Sequence, residues 1–201
     1  MSQCLFYARK KVICLNTVEP IRDKRLILDI ADYLREKNER DYVLFLFGIY
    51  SGLRISDILP LQVRDVRNKD YIYLREQKTD KEKRFPINDD LKSVLKTYIK
   101  GKSDYELLFP RSKGIGKKKH ISRQRVWKIL NEAASYFGYT DKIGCHTLRK
   151  TFGYWLYQST HDIVAIQEIL NHSDPSITKR YIGVNQDSKD ALMKGLSFIK
   201  R

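Results

Sequence analysis

Tyr42-Val43-Leu44-Phe45-Leu46-Phe47-Gly48-Ile49-Tyr50, residues 42–50, is the stretch that decides the fold of this chain. It is almost wholly apolar, and such a run predicts a helix that is buried on all of its faces. Gly52 is suited to end this helix, because glycine readily adopts the left-handed conformation that follows a helix C-terminus. Ser56 is then expected to cap a short helix that runs through Leu61.

The sequence on both sides continues the helical pattern. Upstream, from Asp23, one apolar stripe contains Leu26, Ile27, Ile30, Ala31 and Leu34. Downstream, after Ser122, three more helices are marked by Val126, Leu130, Ala133 and Phe137; by Leu148, Phe152, Trp155 and Leu156; and by Ile163, Ile166, Ile169 and Leu170. Asp174-Pro175 opens a short helix that contains Tyr181. The last predicted helix, residues 187–199, has an apolar stripe of Ala191, Leu192, Leu196 and Ile199.

Between the two helical regions the pattern changes to that of strands. Residues 71–74 are rich in strand-forming side chains, and residues 84–87 are a second short strand candidate. The charged residues 77–82 between them predict a hairpin tip. Asn88 is a good cap for the helix that follows. The sequence therefore predicts a mainly helical fold with a small antiparallel β-sheet, of the α+β class.

The composition limits where the protein works and what it binds. Lys and Arg number 39 against 24 Asp and Glu, which gives the 201 residues a net charge of +15. A domain this basic usually binds a polyanion, with nucleic acid the leading candidate, although a lysine-rich soluble surface is the alternative. No apolar run is long enough to span a membrane, and no signal-peptide core is present. Because Cys4, Cys14 and Cys145 match no disulfide or metal-site spacing, we expect a cytoplasmic protein.

Four local patterns contain candidate catalytic side chains. They are Arg54 in Ser51-Gly52-Leu53-Arg54, Lys78 at the hairpin tip, His146 and Arg149 in His146-Thr147-Leu148-Arg149, and His172 in Leu170-Asn171-His172, nine residues before Tyr181. Spacing of three places His146 and Arg149 on one helix face. Each pattern alone also has an ordinary structural explanation: a surface arginine paired with Asp57, a solvated lysine, a structural histidine or a core tyrosine.

Taken together and in this order, these residues resemble the tyrosine recombinases, also called the phage-integrase family. The resemblance covers about residues 21–183 and extends to the local motifs around each position. It implies the fold of a DNA breaking-and-rejoining catalytic domain. It also implies six catalytic residues, namely Arg54, Lys78, His146, Arg149, His172 and the nucleophile Tyr181.

The chain departs from the family pattern at a few positions. Asn171 stands where glycine is usual, Lys150 stands where histidine is common, and Ile182-Gly183 replaces a frequent Thr-His. None of these changes removes a catalytic group, and asparagine tolerates the left-handed backbone that glycine would provide. Family members usually carry an N-terminal helical domain as well. Residues 1–20 are too few for one, so we expect a tail or linker there and an isolated catalytic domain at residues 21–201.

The resemblance implies a transesterification that needs no cofactor and no metal. Two arginines would grip the non-bridging phosphate oxygens with forked donors, and His172 would add a third donor. His146 is the candidate base for the Tyr181 proton, and Lys78 is the candidate acid for the departing 5′ oxygen. The 3′-phosphotyrosine conserves the bond energy, so rejoining needs no nucleotide.

A basic segment predicts the path of the DNA. Residues 110–119 contain no acidic residue and carry Arg111, Lys113, Lys117, Lys118 and Lys119. We expect this loop, with Arg123 just beyond it, to contact the phosphate backbone, although a solvated linker is the alternative.

We expect double-stranded DNA as the partner, a tetramer on synapsed DNA and a monomer in isolation, in a bacterial or phage-encoded protein. Two other functions remain open from the sequence. One is a type IB topoisomerase, which resembles this family in fold and active site. The other is a recombinase relic that binds DNA without cutting it.

Overall fold

The computed structural model describes residues 18–75, 82–111, 119–172, 174–182 and 193–194. Within these ranges the main elements are α1 (Lys24–Lys37), α2 (Glu39–Ser51), α3 (Ile55–Ile58), β1 (Tyr71–Arg75), β2 (Glu82–Pro86), α4 (Asp89–Tyr98), α5 (Arg123–Tyr136), α6 (Cys145–Thr160), α7 (Ile163–Ile169) and α8 (Pro175–Ile182). A 3-10 turn at Val63–Asp65 precedes β1. The predicted fold class, mainly helical with a small antiparallel sheet, is confirmed.

Helix α2 is the centre of the core, as its apolar sequence predicts. Val43 and Phe47 are fully buried, and α1, α4 and α6 all pack against the helix. Gly48 allows the close approach of α6, because a Cβ atom there would lie 2.5 Å from Cδ1 of Leu148. The helix ends at Gly52 in the left-handed conformation, with φ of 61°, so the predicted end is confirmed.

The two strands form an antiparallel pair in which Ile72 lies opposite Phe85, and both side chains are buried. The next helix, α4, begins where the sequence predicts. Its Asn88 cap accepts a hydrogen bond from the Leu91 backbone N–H at 3.0 Å. Residues 76–81, which include Lys78, lie outside the described residues.

Two local predictions are wrong. Ser56 does not cap α3, because Leu53 is buried after the left-handed Gly52 and the helix already begins at Ile55, with Arg54 at the cap position. Phe137 does not belong to the buried face of α5. It follows the end of that helix, is 38% exposed and packs edge-on against Tyr136. The predicted helix at residues 187–199 lies outside the described residues apart from 193–194.

The chain enters the domain along α6. The Ile21 backbone N–H donates to Oγ1 of Thr151 at 2.9 Å, and Nε1 of Trp155 donates to the Ile21 carbonyl at 3.0 Å. Nζ of Lys150 donates to the Val18 carbonyl at 2.8 Å. Residues 18–20, which the pattern assigns to the tail, therefore contact the domain. In the described part of the chain, no helix has the length and apolar character needed to cross a bilayer.

Candidate active site

Arg149 organises the centre of the site. It lies in the first turns of α6 and is only 2% exposed. Its Nη1 donates to the carbonyl of Gly52 at 2.7 Å, and its Nη2 donates to the carbonyl of Leu170. Gly52 comes two residues before Arg54, and Leu170 comes two residues before His172. One buried guanidinium therefore joins the segments that carry two other predicted site residues.

Arg54 occupies the cap position of α3 with an extended backbone, at φ −69° and ψ 142°. Its side chain is 15% exposed, and Nη1 lies 4.0 Å from Oδ2 of the buried Asp57. The predicted pairing with Asp57 is therefore present, but Arg54 is not the surface residue that the ordinary explanation requires. The Asp57 carboxylate thus lies within ion-pair distance of the guanidinium, and the Arg54 charge also acts on His146 of α6.

His146 lies at the start of α6 and is exposed overall. Partial burial of the ring, followed by the positive charges of Arg123, Arg149 and Arg54, lowers the pKa of His146 below its ordinary value. Nearby cations disfavour a further positive charge, so the neutral imidazole is the dominant form at neutral pH. A neutral imidazole can accept a proton. The same interaction shows that Arg123, which we predicted as a DNA contact, lies in the electrostatic range of His146.

His172 lies between α7 and α8. Its Nδ1 is 3.0 Å from Oγ1 of Thr178, which lies on α8 and is fully buried. The preceding Asn171 adopts the left-handed conformation with φ of 49°, as we predicted for this replacement of glycine. Helix α8 packs on α6 and α7. It carries Tyr181 one turn after Thr178, and the Tyr181 side chain lies outside the described part of the structure.

The base of the predicted basic loop is fixed by backbone pairing. The Arg111 N–H donates to the Lys119 carbonyl at 2.8 Å, and both side chains are exposed. Residues 112–118, with Lys113, Lys117 and Lys118, lie outside the described residues. The two ends of the loop are therefore held side by side, and each carries an exposed cationic side chain.

Arg40 anchors this loop base to the core helix. Its Nη1 donates to the carbonyls of Pro110 at 2.9 Å and Arg111 at 3.2 Å. Its Nε donates to the buried carboxylate of Asp41 at 2.7 Å. Since Arg40 belongs to α2, it fixes the loop base relative to Gly52 at the end of that helix, and so relative to Arg54.

Sequence reasoning missed the groups that hold the predicted residues in place. The Gly52 and Leu170 carbonyls carry no sequence signal, because every residue has a carbonyl. The spacing of Thr178 could have indicated its place in the site, because it precedes Tyr181 by three residues and so lies near it on one helix face. Lys150, which departs from the family pattern, is buried, and its ammonium group donates to the Val18 carbonyl in the segment that leads into α1.

Comparison with known proteins gives a consistent result. The family model described as Phage integrase family matches residues 22–188. A Bacillus subtilis protein named probable integrase/recombinase YoeC is 50% identical over 180 residues, which cover 90% of this chain and 97% of that protein. A tyrosine recombinase of Pseudothermotoga lettingae is 30% identical over 194 residues, covering 89% of this chain and 66% of that protein.

Among solved structures, XerH site-specific recombinase bound to its palindromic difH substrate, in a post-cleavage complex, superposes with a TM-score of 0.68 at 20% identity. The match covers 90% of this chain and 54% of that one. At this identity the likeness establishes a shared fold. The chain thus spans nearly the whole of the Bacillus protein but only about half to two thirds of the other two.

Proposed function

Because the chain belongs to the phage integrase family, the tyrosine recombinases that break and rejoin DNA, we propose that it is a site-specific recombinase whose catalytic domain is residues 21–201. It cleaves one DNA strand by forming a 3′-phosphotyrosine on Tyr181. The observation that carries this proposal is the buried Arg149, whose guanidinium joins the segments of Arg54 and His172. A buried cation with this geometry is suited to a phosphate that gains charge as the reaction proceeds.

The two arginines stabilise the transition state. As the tyrosine oxygen attacks phosphorus, negative charge builds on the non-bridging oxygens, and preorganised donors lower the barrier most where they need no rearrangement. Arg149 meets this requirement through its two carbonyl contacts, and the ion pair with Asp57 supports the same role for Arg54. Arginine suits the role better than lysine because its planar donors contact two oxygens at once.

Proton transfer completes the step. His146, whose pKa is lowered by partial burial and by the surrounding cations, takes the phenol proton of Tyr181. The Tyr181 oxygen forms its bond to phosphorus, the bond from phosphorus to the 5′ oxygen breaks, and Lys78 protonates that oxygen. The reverse reaction, with the 5′-hydroxyl of another strand as nucleophile, rejoins DNA without a nucleotide or a metal.

Double-stranded DNA is the substrate of this proposal. It is supported by the net charge of +15, by the exposed Arg111 and Lys119 at the loop base, and by the DNA substrate in the structure of XerH.

Recombination further requires four subunits on two synapsed sites, and the apolar stripe of residues 187–199 is the segment that would link neighbours. Deleting residues 187–201 should leave DNA binding measurable but abolish complexes larger than one protein per site. Native gel shifts on two-site DNA would contradict this role if the truncated protein formed wild-type complexes.

The decisive experiment is covalent capture. The protein is incubated with nicked duplex DNA carrying the sequence that flanks its own gene, quenched in denaturant and analysed for a covalent protein–DNA band. Wild type should form the band, and Tyr181→Phe should bind DNA nearly as well without forming it. Tyr105→Phe is the matched control, because Tyr105 is 74% exposed and belongs to none of the site segments.

Three outcomes would replace the proposal. A covalent band that persists in Tyr181→Phe would show that another residue is the nucleophile. Relaxation of a supercoiled plasmid by the protein without synapsis of two sites would identify a type IB topoisomerase. Binding without any covalent band from the wild-type protein would identify a DNA-binding relic.

A further inference from the structure

The buried hydroxyl of Thr178 lies beside a ring nitrogen of His172. Thr178 is 0% exposed, and its Oγ1 lies 3.0 Å from Nδ1 of His172. Within the part of the chain that the structure describes, this ring nitrogen is the hydrogen-bond partner of the hydroxyl. A buried hydroxyl that donates to nothing is unfavourable, so we infer that the Thr178 proton points at Nδ1.

This contact selects one of the two neutral forms of the imidazole. A nitrogen that accepts a hydrogen bond carries no proton, so the ring proton of neutral His172 is on Nε2. Nε2 is then a donor without any need for a positive charge. In the opposite tautomer Nε2 would be an acceptor, and two electron-rich atoms would face each other if a phosphate oxygen approached it.

We propose that Thr178 is a positioning residue that holds His172 in the Nε2–H tautomer and makes that tautomer depend on the docking of α8. This inference rests on the proposed function, in which His172 donates to the phosphate. Thr178 belongs to the same helix as Tyr181 and lies one turn before it. Any displacement of α8 from α6 and α7 would move the nucleophile and the hydrogen-bond partner of His172 together. A subunit whose nucleophile was displaced would therefore also have a weakened phosphate clamp.

Two comparisons, of Thr178→Val with wild type and of Thr178→Ser with Thr178→Ala, separate the hydroxyl from the packing around it. Thr178→Val keeps the shape of the side chain and replaces the hydroxyl by a methyl group. Thr178→Ser and Thr178→Ala both lack the methyl group and differ in the hydroxyl alone. If the valine variant does not fold, the serine–alanine comparison still isolates the hydrogen bond.

The kinetic measurement is single-turnover cleavage of nicked duplex DNA with the wild-type nucleophile present. Thr178→Val and Thr178→Ala should cleave about tenfold more slowly, the lower end of the range for losing a partner that orients a metal-bound histidine. DNA binding should change by less than twofold. Thr178→Ser should cleave within about threefold of wild type, and Thr178→Val should have no further effect in a His172→Ala background.

The spectroscopic measurement is the ¹⁵N shift of the two His172 ring nitrogens in the DNA-free protein. Wild type and Thr178→Ser should show Nε2 protonated, whereas Thr178→Val should show a mixture of tautomers. Equal cleavage by the serine and alanine variants, an unchanged tautomer in the valine variant, or additive effects with His172→Ala would each overturn the inference. The tautomer is read without DNA, so it stands apart from Tyr181→Phe capture, whose failure would overturn the proposed function instead.

Discussion

Replacing Gly52 with alanine tests the turn that brings α2 into the site. The residue has φ of 61°, a left-handed conformation that side chains other than glycine's rarely adopt. The added Cβ would lie 2.3 Å from Cδ1 and 2.7 Å from Cε1 of the Phe152 ring on α6. Both distances are well inside van der Waals contact, so the ring or the backbone must move.

The cost has two parts. The left-handed backbone costs an alanine about 1–2 kcal/mol, and forcing a methyl group into an occupied space costs about 1–3 kcal/mol. Their sum, about 2–5 kcal/mol, is a large share of the 5–15 kcal/mol by which a typical domain is stable. A backbone shift at Gly52 also moves the carbonyl that accepts from Arg149 at 2.7 Å, so cleavage by the folded variant should fall as well.

Urea unfolding of Gly52→Ala and Gly101→Ala measures the two parts separately. Gly101 is a matched control, because its φ is 76° but no atom lies within 4 Å of an added Cβ. Gly101→Ala should therefore lose only the backbone term. Phe152→Leu in the Gly52→Ala background should recover part of the steric term. If both alanine variants have the same free energy of unfolding within about 0.5 kcal/mol, a usual additivity error, the reasoning about Phe152 is refuted.

Three further predictions concern the charged groups. Arg149→Ala should reduce single-turnover cleavage by about 10²-fold or more. It should also lower the free energy of unfolding by about 1–3 kcal/mol for each carbonyl left without its donor. Unchanged stability would contradict the structural role of Arg149. Arg123→Gln removes a cation that lowers the pKa of His146, so the pKa of His146 should rise. The loss of cleavage on the acid side of the pH profile should then begin at a higher pH, and an unmoved pH profile would exclude His146 as the base. Neutralising Lys117, Lys118 and Lys119 should weaken binding to all sequences alike and reduce the salt dependence by up to about three counterions, and an unchanged salt slope would mean a solvated loop.

The parts of the fold that sequence predicts well are those decided by neighbouring residues. The buried helix α2, its end at Gly52 and the Asn88 cap all follow from local pattern, and the structure has each of them. Ser56 shows the limit of such reasoning. Its residue type suits a helix cap, but the burial of Leu53 in the core sets where α3 begins, and that contact is not local in sequence.

The candidate site shows the same division. Residue type, order and spacing predict a site that contains Arg54, His146, Arg149 and His172, and the structure gathers the segments that carry them. The contacts that hold Arg149 come from carbonyls 97 and 21 residues away along the chain. Such partners depend on the packing of three helices and leave no trace in residue type. The role of the buried Thr178 likewise becomes visible only when α8 is seen against α7.

The position of Arg149 has a consequence for how a gene of this kind decays. Its guanidinium holds the ends of α2 and α7 together, so replacing it costs the folded protein as well as its chemistry. A lineage that stops recombining DNA but still needs the folded domain remains under selection to keep this arginine. His146 is exposed at the start of α6, so its replacement should change the stability of the domain less than replacement of Arg149. Inactivating substitutions should therefore accumulate first at exposed site positions such as His146, and Arg149 should persist among silent descendants.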